Sequence, residues 1–133
     1  TLSQRLRHEC GLAIAGLGFV PSLHLQAPVA ELDAIEGELK EDVVAVVKEC
    51  LANVARHAHA SAASVSITLF KEGVDTVIQV NVSDNGRGID PSITRRSGLA
   101  NMGARARRHL GWVDFYSLDP GTMVSWRATI IAE

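Results

Sequence analysis

The spacing of apolar residues along the chain predicts three helices. Leu2, Leu6 and Cys10 recur at helical intervals and predict a helix from residue 1 to about 16. A longer helix is predicted from about 38 to 58, where apolar residues form one stripe. That stripe consists of Val43, Val46, Val47, Cys50, Leu51 and Val54. Residues 98–109 return to helical character, and Gly111 is expected to terminate that helix.

Alternating segments between the helices predict five strands. They cover residues 22–26, 65–69, 76–83, 112–117 and 122–131. Residues 30–37 are predicted to be an irregular connection, 61–64 and 71–75 turns, and 84–97 a loop, with a final hairpin around 119–121. The pattern indicates an α/β (α+β) fold, a two-layer sandwich in which one layer of helices covers a mixed sheet.

Composition narrows the class of protein. The 133 residues indicate a single domain, and the formal net charge of −2 provides no positive field for nucleic acid. The apolar run Gly11–Val20 is too short to cross a bilayer, and no basic flank marks a signal peptide. Cys10 and Cys50 are expected to be reduced core thiols. We therefore expect a cytoplasmic domain without direct membrane contact, and the start at Thr1 suggests a fragment of a longer protein.

Polar residues on the long helix form a second stripe beside the apolar one. Glu49, Asn53 and His57 are four residues apart, so each step turns only about 40° around the helix axis. A carboxamide and a carboxylate one turn apart can face a single magnesium ion, which prefers oxygen ligands. Arg56 could reach phosphate oxygens. By itself, the stripe also fits a solvated helix edge.

An acidic residue ends the most apolar strand and is followed by two glycines. The carboxylate of Asp84 could accept a hydrogen bond from the exocyclic amine of adenine, whereas guanine presents an acceptor at that position. Gly86 and Gly88 would let the backbone approach a flat base. An ordinary Asx-type turn is the alternative for this segment.

Two further segments that contain glycine could bind a phosphate. Gly98 opens a helix, whose free N–H groups attract anions, and Gly103 inside it costs about 1 kcal/mol relative to alanine, which close approach of a ligand or another element would explain. A P-loop is excluded because no Lys-Ser/Thr follows, and no strand directly precedes the segment as a dinucleotide fingerprint requires. At Gly121-Thr122 the hydroxyl could contact a phosphate, although a plain hairpin turn is favoured.

The order and spacing of these segments resemble a known family. Residues 49–58 resemble the N box of histidine kinases, 84–88 their G1 box, 98–105 their G2 box and 121–122 their closing Gly-Thr. The resemblance to the GHKL ATPase superfamily covers roughly residues 38–131. It is closest to the nitrate-sensor-like branch of histidine kinases, which has a short ATP lid.

The resemblance implies the Bergerat fold, with ATP and Mg²⁺ as ligands. In it Asp84 would contact adenine, Asn53 would ligate magnesium, and Glu49 would act as base or water-mediated ligand. The implied ATP-binding residues are Asn53, Arg56, His57, Asp84, Gly86, Gly88, Ile89, Gly98, Leu99, Met102, Gly103 and Thr122. Residues 90–97 leave room only for a short lid, and we hypothesise that Arg95 or Arg96 contacts phosphate or a partner domain.

The implied activity is that of the catalytic domain of a sensor histidine kinase in two-component signalling. The γ-phosphoryl group would pass to a histidine on a separate dimerisation domain outside this chain, and then to a response regulator; the full-length protein would be a homodimer. His8-Glu9 superficially fits an acceptor motif, but a strand follows at once and no second helix is available for a dimer. We therefore expect no autophosphorylation by this chain alone.

Two alternatives stay open at this point. One is an anti-sigma-factor serine kinase or switch protein of the same superfamily, which acts chiefly by binding a protein. The other is a domain that binds nucleotide weakly or not at all when isolated. The short lid and the Arg56-His57-Ala58 ending of the long helix favour the histidine kinase.

Overall fold

A mixed β-sheet forms one layer of the computed structural model, which describes residues 1–87 and 100–131. Within those ranges the strands are β1 (Ser22–Gln26), β2 (Ala63–Glu72), β3 (Asp75–Asp84), β4 (Trp112–Ser117) and β5 (Thr122–Ile130). Their order is β1-β2-β3-β5-β4, with β1 parallel to β2 and the other pairs antiparallel. The predicted mixed sheet is confirmed, although β2 extends further at both ends than its alternation indicates.

Four helices are described, one more than predicted. They are α1 (Leu2–Leu17), α2 (Val29–Asp33), α3 (Gly37–Asn53) and α4 (Ala100–Arg107), and α3 continues into a π-helical turn, Val54–Ala58. Among the described helices, none combines the length and the apolar character needed to cross a lipid bilayer.

The prediction of an irregular connection at residues 30–37 is wrong, because α2 occupies its first part. Leu32 is fully buried and anchors this short helix in the core. The carboxylate of Asp33 accepts hydrogen bonds from the backbone N–H of Ser3 at 2.9 Å and from its hydroxyl at 3.0 Å. These bonds satisfy donors at the start of α1, so tertiary contacts stabilise a helix too short to show a period.

The core lies between one face of the sheet and the helices. Val65 and Ile67 of β2 and Ile78 and Val80 of β3 alternate with more exposed residues and point to this side. Trp126 of β5 is fully buried among them. Together with the buried stripes of α1 and α3, this arrangement confirms the predicted two-layer sandwich.

Gly111 does not end α4 in the predicted way. The residue with left-handed backbone is Leu110, at φ 58°. A Cβ on Gly111 would overlap the carbonyl oxygen of Arg127 on β5. Glycine is therefore required for the close approach of two backbones and not for a left-handed cap.

Candidate functional site

The end of α3 brings together Glu49 and Asn53, two of the three residues on the predicted polar stripe, with Arg56. Asn53 is almost completely buried, with 2% of its surface exposed. Arg56, in the π-helical turn, donates a hydrogen bond from Nη2 to Asn53 Oδ1 at 2.6 Å. The same nitrogen lies 3.5 Å from Glu49 Oε1. One guanidinium is thus shared between the carboxamide and the carboxylate.

The apolar stripe of α3 fixes the direction of these side chains. Cys50, between Glu49 and Asn53, is buried, and its thiol lies 3.6 Å from the sulfur of Met102 on α4. Burial, with a smaller contribution from the charge of Glu49, raises the pKa of Cys50 to about 12. Cys10 and Cys50 are both buried free thiols, as predicted.

Asp84 ends β3 with a buried carboxylate. Its surface is 6% exposed, and Oδ1 accepts a hydrogen bond from the backbone N–H of Gly86 at 2.8 Å. This is an Asx-type turn, so that alternative from the sequence is part of the arrangement. Burial raises the pKa of Asp84, and the bond from Gly86 opposes that effect. The carboxylate is held in one orientation as a buried hydrogen-bond acceptor.

Hydrogen bonds join the segment after β3 to the segment after α3. The N–H of Arg87 donates to the carbonyl oxygen of Ala58 at 2.8 Å. Asn85 Oδ1 accepts hydrogen bonds from the N–H groups of Ser61 and Ala62, at 3.0 and 2.9 Å. A Cβ on residue 86 would overlap the same carbonyl oxygen of Ala58, so glycine is required there. These contacts join the Asp84 turn to the turn that carries Arg56.

Three further described residues of the predicted set, His57, Met102 and Thr122, each have defined contacts. Half-buried His57 accepts, through its carbonyl oxygen, a hydrogen bond from Arg87 Nε at 3.2 Å. Met102 is buried, and its carbonyl oxygen accepts a bond from Trp126 Nε1 at 2.9 Å. Thr122 is buried and pairs directly with Asp84 across β5 and β3, so both side chains lie on the same face of the sheet.

Within the described part of the chain, no packing contact requires glycine at position 103. The nearest atoms to a Cβ placed there are Arg107 Nη1 at 3.1 Å and Val113 Cγ1 at 3.9 Å. The first is the flexible end of a long side chain, so no backbone among residues 1–87 and 100–131 requires glycine at this position.

Several predicted residues lie outside the described part of the chain. They are Gly88, Ile89, Gly98 and Leu99, together with the lid arginines Arg95 and Arg96. Their predicted roles stay predictions.

The side-chain oxygens at the end of α3 are suitable ligands for a hard cation. Asn53 Oδ1 and Glu49 Oε1 approach one positively charged group, the guanidinium of Arg56. Carboxamide and carboxylate oxygens are also the ligand types that magnesium selects in proteins. The residues present therefore fit a magnesium ion, with Arg56 as a stand-in cation.

A second polar cluster was missed by the sequence analysis. Asp42, in the first half of α3, is 1% exposed. Its Oδ1 accepts hydrogen bonds from Arg105 Nη1 and Arg108 Nη2, each at 2.7 Å. Its Oδ2 lies 2.7 Å from His109 Nε2, and Glu38 pairs with Arg108 Nε at 3.1 Å. Burial opposes ionisation of Asp42, but the bonds from His109 and Arg105 prevail and lower its pKa.

A signal for this cluster was present in the sequence. Asp42 precedes Val46 by four residues, so a charged residue lies in line with the buried stripe of α3. Arg105, Arg108 and His109 have the spacing that places three side chains on one helix face. These features indicate a buried charge on one helix and a basic face on another, but neither pattern relates the two segments to each other.

The chain belongs to the family of histidine kinase-, DNA gyrase B-, and HSP90-like ATPases, which it matches over residues 38–127. The matched range includes Glu49, Asn53, Asp84 and Thr122. The family predicted from the four sequence segments is therefore confirmed. Assignment to the nitrate-sensor-like branch stays a prediction.

Solved structures show the same fold. The ATP-binding domain of PrrB from Mycobacterium tuberculosis has 19% identity and a TM-score of 0.68, and the match covers 97% of this chain and 93% of that one. The histidine kinase AdeS from Acinetobacter baumannii has 14% identity and a TM-score of 0.70, with 96% of this chain and 62% of that one covered. Full-length ShkA, in complex with AMPPNP, has 15% identity and a TM-score of 0.71, with coverages of 96% and 30%.

These matches confirm the predicted fold, that of histidine kinase ATP-binding domains. The chain spans about three fifths of the AdeS structure and about a third of ShkA, which are longer proteins.

Proposed function

We propose that this chain is the ATP-binding catalytic domain of a sensor histidine kinase. It would bind magnesium-ATP and deliver the γ-phosphoryl group to a histidine on a separate dimerisation domain. The observation that supports this most directly is the placement of a buried carboxylate, Asp84, and a buried carboxamide, Asn53, next to two segments that are hydrogen-bonded to each other. In this proposal, Asp84 would be the base-recognition group and Asn53 the cation ligand of one site.

Recognition of adenine is assigned to Asp84. The exocyclic amine of adenine would donate to the carboxylate, whereas guanine would present its carbonyl oxygen and repel it. The bond from Gly86 fixes the carboxylate orientation before nucleotide arrives. Gly86 and Gly88 would form a wall against the base, and Ile89, Leu99 and Met102 would supply apolar contacts.

The phosphate end of the site is assigned to the end of α3. Asn53 Oδ1 would ligate magnesium, and Glu49 would bind through water or accept a proton from the attacking group. Arg56 and His57 would lie near the phosphates, and Gly98, Gly103 and Thr122 would complete the enclosure. Magnesium, when bound, neutralises charge on the transferring phosphoryl group.

The partners of this domain follow from the proposed activity. They are the histidine-bearing dimerisation domain of the same protein and a cognate response regulator, in a cytoplasmic homodimeric kinase. The AMPPNP complex of ShkA, a structure of the same fold, supports nucleotide binding in this family.

The proposed base recognition is tested by calorimetry with ATP, ADP and GTP, with and without magnesium. We expect wild-type protein to bind ATP and ADP, to bind GTP at least about 10-fold more weakly, and to lose this preference in Asp84→Asn. An asparagine at this position can still accept the bond from Gly86, so the variant changes the charge and leaves the turn intact. Equal binding of ATP and GTP by the wild type would remove Asp84 from the adenine site.

The proposed phosphoryl transfer is tested with γ-labelled ATP. Alone with magnesium-ATP, this chain is expected to acquire no acid-labile label. When the dimerisation domain of the parent kinase is added, label should appear on that domain. Acid-labile phosphate on this chain itself would contradict the assignment of the acceptor to another domain.

A further inference from the structure

We propose that Arg56 acts as an internal cation, which occupies the magnesium position until a nucleotide arrives and so keeps free magnesium out. This inference rests on the proposed function and concerns the regulation of the same site. It assigns Arg56 two alternating positions, one on the Asn53 and Glu49 oxygens and one on the nucleotide phosphates.

The first step of the argument is that Arg56 and magnesium need the same atom. Arg56 Nη2 lies 2.6 Å from Asn53 Oδ1, the proposed metal ligand. Magnesium binds its ligands at about 2.0–2.1 Å in a strict octahedral geometry. A guanidinium at hydrogen-bond distance from that oxygen obstructs the ligand position, and its charge repels a divalent ion. The two cations therefore exclude each other.

The second step is that Arg56 can leave. Its side chain is 50% exposed and its distance to Glu49 is 3.5 Å, longer than a strong charged hydrogen bond. Its arginine counterparts at Asp42 lie at 2.7 Å from a carboxylate that is only 2% exposed. The short bond of Arg56, at 2.6 Å, goes to the neutral carboxamide of Asn53, and its only carboxylate partner among the described residues, Glu49, is 33% exposed. The ion pair of Arg56 is thus the looser of the two, because solvent can replace part of it.

The third step is that only a nucleotide gives the displaced guanidinium a new partner. Phosphate oxygens match the planar donor fork of arginine and bind it in bidentate fashion. Free magnesium offers no such acceptor, so on its entry Arg56 would exchange its contacts with Asn53 and Glu49 for water alone. Magnesium bound to ATP brings the metal and the acceptor together, and the site thereby favours the complex over the free ion.

The experiment measures metal binding without nucleotide, with Mn²⁺ as a paramagnetic probe followed by electron paramagnetic resonance. Arg56→Met keeps an unbranched aliphatic stem and removes the charged guanidinium. Lys48→Met is the matched control, because Lys48 is an exposed cation on the same helix with the same change of charge. We expect Arg56→Met to bind Mn²⁺ about 10-fold more tightly than the control. Adding Asn53→Ala to Arg56→Met should abolish the gain.

Equal Mn²⁺ affinity in Arg56→Met and Lys48→Met would overturn the proposal. A gain that survives Asn53→Ala would overturn it as well, since the metal would then bind elsewhere. Circular dichroism checks that both variants fold, and the half-exposed position of Arg56 makes this the expected result.

A second readout uses the wild-type protein. The ¹⁵N resonance of Arg56 Nε should stay unchanged with magnesium alone and shift with magnesium-AMPPNP. A shift with magnesium alone would contradict the exclusion. Calorimetry with magnesium-ATP separates this inference from the proposed function: if ATP binds normally while the Mn²⁺ affinities are equal, only the role of Arg56 fails. If ATP does not bind at all, the proposed function fails, and the Mn²⁺ comparison still decides between the two cations.

Discussion

Helix α3 carries two polar clusters, and they hold their cations in different ways. In its first half, buried Asp42 is surrounded by Arg105, Arg108 and His109, each at 2.7 Å. About 16 Å further along the axis, at the end of the helix, Asn53 and Glu49 share the single guanidinium of Arg56. In the first cluster, two arginines neutralise the charge of Asp42. In the second, Arg56 is the single cationic partner of Asn53 and Glu49 among the described residues.

This difference separates a structural role from a ligand-binding role on one helix. Loss of one partner from a buried ion pair strongly destabilises the folded protein. The Asp42 cluster therefore has the properties of a structural contact that holds α4 against α3. A carboxamide and a carboxylate with one half-exposed partner can exchange it for a magnesium ion that arrives with nucleotide phosphates, because the phosphates rebind the arginine. We therefore expect the Asp42 cluster to determine stability and the Asn53 cluster to determine magnesium-ATP affinity.

The largest effect is expected from Asp42→Asn. The substitution leaves two guanidinium groups and an imidazole facing one neutral acceptor, and we expect a loss of about 2–3 kcal/mol in the free energy of unfolding at pH 7. The value is set below the usual cost of breaking a buried pair because Arg105 and Arg108 are partly exposed. Urea denaturation measures it. A loss below about 0.5 kcal/mol would show that the cluster does not stabilise the fold.

Binding of magnesium-ATP is expected to fall about 30-fold in Asn53→Ala, since the site loses its direct metal ligand. Stability should hardly change, because alanine has the higher helix propensity and Arg56 can turn to solvent. Calorimetry with and without magnesium gives the comparison. If ATP binding were lost equally in both conditions, Asn53 would not act through the metal.

Acid should remove the contribution of Asp42. Its pKa is lowered in the folded state, so its stabilisation is present above the unfolded carboxyl pKa of about 3.9 and is lost as pH falls through the folded value. The stability difference between wild type and Asp42→Asn should therefore shrink only below about pH 4. Denaturation curves between pH 3 and 7 measure this. A constant difference across that range would contradict an ionised Asp42.

The smallest effect has the opposite sign. Burial raises the pKa of Asp84, so its charged form is unfavourable, and stability relative to a neutral side chain is lost as pH rises through the folded value. Asp84→Asn should be slightly more stable than wild type at pH 7, by less than about 1 kcal/mol. The gain should disappear below the carboxyl pKa. A clear loss of stability would show that the charge of Asp84 supports the fold and not the ligand.

Local patterns were sufficient to predict the sheet and to select the polar groups of the proposed site. Alternation located the strands, the four-residue spacing located Glu49 and Asn53, and the end of an apolar strand located Asp84. Each of these signals lies within one element, where the periods of 2.0 and 3.6 residues determine which side chains share a face.

Features that depend on distant contacts were not predicted. The partners of Asp42 lie 63, 66 and 67 residues further along the chain, so no local period relates them. Helix α2 has five residues and depends on the bonds between Asp33 and Ser3. The π-helical turn, which places Arg56 on Asn53, interrupts a helix that the apolar stripe predicts to be continuous.

The most direct test of the central claim is a titration of ¹⁵N-labelled protein with magnesium-AMPPNP, followed by amide chemical shifts. The site described here predicts the largest changes at Asn53, Arg56, Gly86 and Met102, and little change at Glu38 and Asp42. Changes centred on the Asp42 cluster, or none at saturating nucleotide, would contradict the assignment of the ATP site to the end of α3 and the Asp84 turn.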